Sequence, residues 1–237
     1  MGTTQLTAAG IGAGDEVVVP SFGGADVARA VQEFGARPVF ADIDAHTYCL
    51  DPSSAEGAVT ARTAAIVPVH LFGQAAGMAA LRAVGERRGV PVVEWEPLPR
   101  TDAIDAVRRR QYATYLGRRL RGVVVPEVGD GSEHVFSAYA VRVPGNGRPD
   151  RDAFRRALRL RGVESHVPVR VPAHRLPEFA QDVRRTEWRS SPRLPESERA
   201  ADECLTLPLS AAMTKKDLQR VVSACNALGG LLRERVS

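Results

Sequence analysis

Over its first hundred residues the chain alternates short apolar runs with stretches of helical periodicity. That alternation restricts it to βαβ units and a largely parallel sheet. Residues 16–19 form a β-branched run closed by Pro20, and residues 38–43, 64–69 and 90–94 are further apolar runs of strand length. Between them, residues 25–34 place Val27, Ala28, Val31 and Phe34 at helical spacing, 52–59 make a short helix, and 78–88 carry Met78, Leu81 and Val84 up to Gly89. A glycine at that point is suited to the left-handed conformation that ends helices.

Pro97, Pro99 and Asp102 break this pattern. Residues 103–120 then read as one amphipathic helix, with Ile104, Val107, Tyr115 and Leu120 on a common face among several arginines. The remainder reads as α+β. Residues 134–143 alternate in strand fashion, and Asp150 is placed to cap a helix carrying Phe154 and Leu158 and ending at Gly162. Residues 163–171 are extended and broken by Pro168, 184–197 read as a loop, and 198–205 as a short helix. Thr214 and Asp217 have capping-box spacing ahead of a last helix with Leu218, Val221, Val222, Cys225 and Leu228 inward. The expected organisation is an α/β domain over 1–98, a connecting helix over 99–121 and a small α+β domain over 122–237.

Composition removes several function classes. A net charge of +4 over 237 residues, with 32 Lys+Arg against 28 Asp+Glu, is no nucleic-acid footprint. Three widely spaced cysteines make neither a disulfide framework nor a zinc site. No apolar run approaches the ~18 residues of a membrane span, and no secretory signal is visible, so the expectation is a soluble cytoplasmic protein. Only two of the 32 basic residues are lysine, Lys215 and Lys216.

Six phrases in order carry a resemblance: Gly10 to Val17, Val19-Pro20-Ser21-Phe22, Ala36 to Asp44, Thr47-Tyr48, Pro68-Val69-His70-Leu71-Phe72-Gly73-Gln74, and Leu205-Thr206-Leu207-Pro208-Leu209. Their order and spacing resemble the DegT/DnrJ/StrS sugar aminotransferases. The resemblance implies the pyridoxal phosphate fold type I, a shortened sheet domain followed by a small C-terminal domain, and a place in sugar or antibiotic biosynthesis. It also implies four groups around the cofactor: a Schiff-base lysine, an Asp on the pyridinium nitrogen, an aromatic residue stacked on the ring, and a Gly-Thr segment at a helix start for the phosphate.

Against that pattern, the lysine's segment is missing, because only residues 95–102 join the fourth apolar run to the next helix. Where the family carries Glu-Asp-x-x-Gln, this chain has Glu94-Trp95-Glu96-Pro97-Leu98. Trp95 stands at the Asp position, and a neutral indole does not hold a ring nitrogen protonated. Gly24 stands at the aromatic position. Gly2, Thr3 and Thr4 are the remnant of the phosphate segment, and an unstructured N-terminus is the plainer expectation for them. The reading is an internally truncated, degenerate member, a pseudoenzyme with no cofactor expected that acts as a partner or regulatory subunit of a pathway enzyme; the alternatives are a cofactor-independent enzyme using the remnant cleft or, by family similarity only, a nucleotide-sugar aminotransferase.

His70, Glu94 and His174 remain as the candidate acid–base set, with satisfied structural histidines as the plainer reading. No histidine spacing supports a metal site, and none is expected. A shortened parallel sheet leaves an edge and apolar faces to cover. The expected partner is therefore a second copy, an intact aminotransferase or another pathway enzyme, with no role for nucleic acid or membrane.

Overall fold

The computed structural model describes residues 2–99, 101–128, 134–145, 150–179 and 193–233. In chain order the elements are α1 (Gly2–Ala8), β1 (Glu16–Pro20), α2 (Ala25–Glu33), β2 (Arg37–Ala41), α3 (Pro52–Ala58), β3 (Thr63–Ile66), α4 (Met78–Arg88), α5 (Ala103–Arg119), β4 (Tyr139–Arg142), α6 (Arg151–Leu160), a 3-10 turn (Ala173–Arg175), α7 (Pro195–Glu203), β5 (Cys204–Leu207) and α8 (Lys215–Arg233). They form two compact units. The first comprises Met1–Leu71, Ala75–Pro97 and Val171–Ala201, and the second Phe72–Gln74, Leu98–Arg170 and Asp202–Ser237.

The first unit is built on a parallel sheet in the order β2-β1-β3, and a parallel bridge between Ile66 and Val92 extends it by one short edge. Its central strand explains its own sequence. Val17, Val18 and Val19 are all fully buried, because helices cover both faces of the sheet. Val17 and Val19 pack with Val27 and Val31 of α2, while Val18 packs with Ala55 of α3 and Leu81 and Val84 of α4. Helix α3 starts at Asp51, whose carboxylate accepts from the Ser54 N–H at 2.7 Å, with Pro52 at its first position. Helix α4 ends at Gly89, which takes φ +67°.

The second unit packs α5, α6 and α8 around the antiparallel pair β4-β5, with Tyr139 opposite Leu207 and Val141 opposite Leu205. These four side chains share a core with Leu116, Phe154, Leu158, Leu218 and Val221. The capping box forms as its spacing predicts. The Thr214 N–H and Oγ donate to Asp217 Oδ2 at 2.9 and 2.7 Å, and the Asp217 N–H donates back to Thr214 Oγ at 3.2 Å.

Several expectations change. Helix α5 is not a connector; Ala113, Leu116 and Leu120 belong to the second unit's core. Residues 171–201 return to the first unit, since Ala173, Phe179 and Leu194 join the apolar cluster beside β1 and β2. Residues 163–171 contribute one bridge, His166 to Thr206, and 134–143 form a strand only over Tyr139–Arg142. Asp150 precedes α6 without a side-chain cap. The first residues are helical, with Leu6 fully buried. The expected loop at 184–197 lies outside the described residues as far as 192, and α7 begins at Pro195, three residues before the expected helix. Among the described residues, no helix is long and apolar enough to cross a membrane.

Candidate functional site

In open parallel sheets, ligands bind beyond the carboxyl ends of the strands. Ser21 follows β1, Asp42 follows β2, and Glu94 follows the strand segment at 90–93. All three lie in the first unit, as do His70 and His174.

His70 and Glu94 meet. The His70 Nε2 lies against Glu94 Oε1, and the Ala76 N–H donates to His70 Nδ1 at 2.9 Å. A nitrogen that accepts cannot carry the proton, so the ring is the Nε2–H tautomer and donates to the carboxylate. Both ring nitrogens are thereby engaged. His70 is enclosed, with 6% of its side chain exposed, whereas Glu94 is 37% exposed. Of this pair, the carboxylate is the group a substrate can reach.

His174 stands apart from that pair. Its Nδ1 lies 2.6 Å from Ser21 Oγ and its Nε2 lies 3.3 Å from Glu198 Oε1, which also accepts from Arg175 at 2.7 Å. An ionised carboxylate only accepts, so the Nε2–H donates to Glu198 and the Ser21 hydroxyl donates to Nδ1. Burial lowers the imidazole pKa, assisted by Arg175 and opposed by Glu198 and Asp42. Hydroxyl, imidazole and carboxylate stand in the order of a hydrolase relay. Ser21 is nevertheless fully buried and His174 has 1% of its side chain exposed, so no substrate reaches this hydroxyl. The three groups instead tie the returning segment to the end of β1, together with the Ala173 N–H donating to the Ser21 carbonyl at 2.8 Å.

Asp42 makes the matching tie at the end of β2. Its carboxylate accepts from the Ser197 N–H and Oγ, both at 2.7 Å, and from the Glu196 N–H at 2.9 Å. These are amide groups in the first turn of α7, where a negative charge is also favoured by the helix dipole. Neither tie is visible in sequence, since the partners are more than 150 residues apart.

The residues at the cofactor positions do not fit pyridoxal phosphate. Trp95 packs its indole against the first unit's apolar cluster beside Val93. A Cβ at Gly24 would overlap the Pro20 carbonyl oxygen, and one at Gly23 (φ +77°) would lie 3.0 Å from Leu71 Cδ1, so a stacking aromatic has no room. Lys215 and Lys216 are exposed residues in the first turn of α8, in the second unit. Of the phosphate remnant Gly2, Thr3 and Thr4, Thr4 is exposed on a helix of seven residues; the side chains of the other two lie outside the described set. Among the described residues, no group of three or more His, Cys, Asp or Glu could hold a metal ion. Cys49, Cys204 and Cys225 are buried and in no disulfide; burial pushes the Cys49 and Cys225 thiols up to about 12, away from nucleophilic use.

A family model matches nearly the whole chain in two segments, residues 3–95 and 96–226. The chain belongs to the DegT/DnrJ/EryC1/StrS aminotransferase family. It is 29% identical to a "Pleiotropic regulatory protein" of Geobacillus stearothermophilus, over 92% of this chain and 79% of that protein. It is 36% identical to the "dTDP-3-amino-3,4,6-trideoxy-alpha-D-glucose transaminase" of Micromonospora megalomicea subsp. nigra, over 76% of this chain. That match spans 46% of the transaminase, so the chain accounts for less than half of that relative's length. Among solved structures, it superposes on S. venezuelae DesV, determined in complex with a ketimine intermediate, with a TM-score of 0.83. The identity there is 24%, covering 100% of this chain and 83% of DesV, which establishes the fold.

Proposed function

We propose that this chain is an internally shortened family member that does not transaminate and serves sugar or natural-product biosynthesis as a partner subunit. It would act on a second copy, an intact aminotransferase or another pathway enzyme. The observation that carries this reading is the packing at the cofactor positions. Trp95, half-buried, packs against the first unit's apolar cluster, Gly24 has no room for a side chain, and the first unit contains no lysine.

Two features of the comparisons support the shortening. The family match breaks between residues 95 and 96, where the lysine segment is expected. The match to the Geobacillus protein runs over 304 positions although this chain has only 237, so the relative carries positions with no counterpart here. The name of the Micromonospora relative, a transaminase of a dTDP-linked amino sugar, supports the pathway class.

The test is to incubate the purified protein with pyridoxal phosphate, treat it with borohydride and separate free cofactor by gel filtration. The expected result is no protein-bound reduced pyridoxyl group by near-ultraviolet absorbance or mass, and no amino transfer to a nucleotide-linked keto-sugar. Cofactor fixed to Lys215 or Lys216, with transfer activity, overturns the reading.

One observation favours a second reading, a cofactor-free enzyme. Glu94 is accessible, oriented by His70, and placed beyond a strand's carboxyl end. A carboxylate so placed can take a proton from the carbon beside a keto-sugar carbonyl and return one to it. Incorporation of solvent deuterium into such a sugar, falling about a hundredfold in Glu94→Gln, is its expected signature. No incorporation by the wild-type protein removes it.

A further inference from the structure

The chain's net charge of +4 hides a division. The second unit holds 20 Lys+Arg against 12 Asp+Glu, a net charge of +8, and the first holds 12 against 16, a net charge of −4. Part of the excess stands unpaired on α6. Phe154 and Leu158 turn inward to the second unit's core, and Arg156, Arg159, Leu160 and Arg161 are exposed. The single carboxylate of α6, Asp152, is already taken, with Arg151 Nε 3.3 Å and Arg155 Nε 4.0 Å away. Arg161 donates to the Ala157 carbonyl at 3.3 Å. No carboxylate among the described residues forms an ion pair with Arg156, Arg159 or Arg161. By contrast, six exposed arginines of the first unit, Arg29, Arg62, Arg87, Arg88, Arg175 and Arg199, each meet a carboxylate.

Two apolar features adjoin these arginines. Leu160, a large aliphatic residue, is 85% exposed. At Gly162, just past the end of α6, a crevice of about 250 Å³ opens towards α8. Its apolar lining is Val163, Pro208, Met213 and Val221, and its charged members are Glu164, Asp217 and Arg220. The Asp217 charge is held by Thr214 and lies beside Arg220 and Lys216. Pockets that enclose small-molecule ligands run from about 300 to 1,000 Å³. This one is smaller and suits a single large apolar side chain.

We propose that α6 and the adjoining crevice dock an acidic amphipathic helix of a partner protein. Its carboxylates meet Arg156, Arg159 and Arg161, and one of its apolar side chains enters the crevice. The occupant follows from the two halves of the surface taken together. Unpaired guanidinium groups call for carboxylates, which they can grip with two parallel hydrogen bonds. Leu160 and the crevice call for hydrocarbon, and an amphipathic helix presents both on neighbouring stripes. A nucleic acid supplies the charge without the hydrocarbon. An anionic bilayer takes up a basic helix through a whole apolar face, and that face of α6 already packs in the core. The proposal rests on the partner role of the functional reading, whose partner's chemistry it names, and not on the loss of cofactor chemistry.

Fluorescence anisotropy with the full chain tests it. The probe is a labelled helical peptide of about 20 residues, with glutamates along one stripe and leucines along the next. Saturable binding is expected. It should weaken about tenfold or more when Arg156→Glu and Arg159→Glu are combined. It should weaken about as much when glutamine replaces the peptide's glutamates, or alanine its leucines. Should the double variant not fold, the two altered peptides decide against the wild-type chain. No saturable binding overturns the proposal, as does binding unchanged in the double variant or with either altered peptide. Tighter binding of duplex DNA or of phosphatidylglycerol vesicles also overturns it, in favour of those ligands. Cofactor retained in the separate assay would overturn the pseudoenzyme reading and leave this result standing.

Discussion

Gly24 shows how one atom decides a chemistry. Its carbonyl opens α2 by accepting from the Ala28 N–H at 2.9 Å, and any Cβ there meets the Pro20 carbonyl. Restoring the family's aromatic by Gly24→Phe should therefore cost about 1–3 kcal/mol through overpacking and displaced backbone. Denaturant unfolding measures this, with a lowered midpoint expected and no gain in cofactor retention. Glu16 is a contrasting residue, buried at the opposite end of β1. Burial raises its carboxyl pKa, but the bonds from Thr60, Arg37 and Arg62 lower it further, so it stays charged. Glu16 sits within the strand run that is legible in sequence, yet its role as an ion anchor depends on Arg37 and Arg62, which only the parallel pairing brings to it.

At the scale of elements, α7 and the 3-10 turn ahead of it are held by groups that belong to strands. Asp42 supplies three bonds to the first amides and hydroxyl of α7, and Ser21 holds the turn through His174. Asp42→Ala should cost about 1–2 kcal/mol, the scale of a lost helix cap. Hydrogen exchange should show the loss first at residues 196–199, before the sheet itself opens. The resemblance drew attention to the Ala36 to Asp44 phrase without saying what Asp42 does. Helix α8, by contrast, was readable from its own residues, because its capping box and its inward apolar stripe are local in sequence.

For the molecule as a whole, pH dependence follows from its enclosed histidines. Burial pushes His134 down to about 4, aided by the Arg110 charge, and its Nδ1 accepts from the Phe136 N–H at 3.0 Å. His174 is shifted in the same direction. A histidine with a lowered native pKa binds fewer protons folded than unfolded between that pKa and the ordinary value near 6.5. Stability is therefore complete above about 6.5 and falls as pH drops towards 4. For His134 alone the loss is about 3 kcal/mol. Thermal unfolding from pH 7 to 4 should show the decline, and His134→Asn, which keeps an acceptor but does not titrate, should flatten it.

The layered parallel sheet, its helices and the family are legible in the amino-acid sequence. Each of those is written in local periodicity, in capping and turn residues, or in phrases a few residues long. It also pointed to His70 and Glu94, because both lie next to apolar runs whose order was readable. Tertiary structure alone decided that His70 has no free nitrogen, that His174 is a tie and not part of that pair, and that residues 171–201 belong with the first unit. The physical reason is the same each time: a hydrogen bond is specified by where two groups meet in space, and these partners are brought together by packing across the chain.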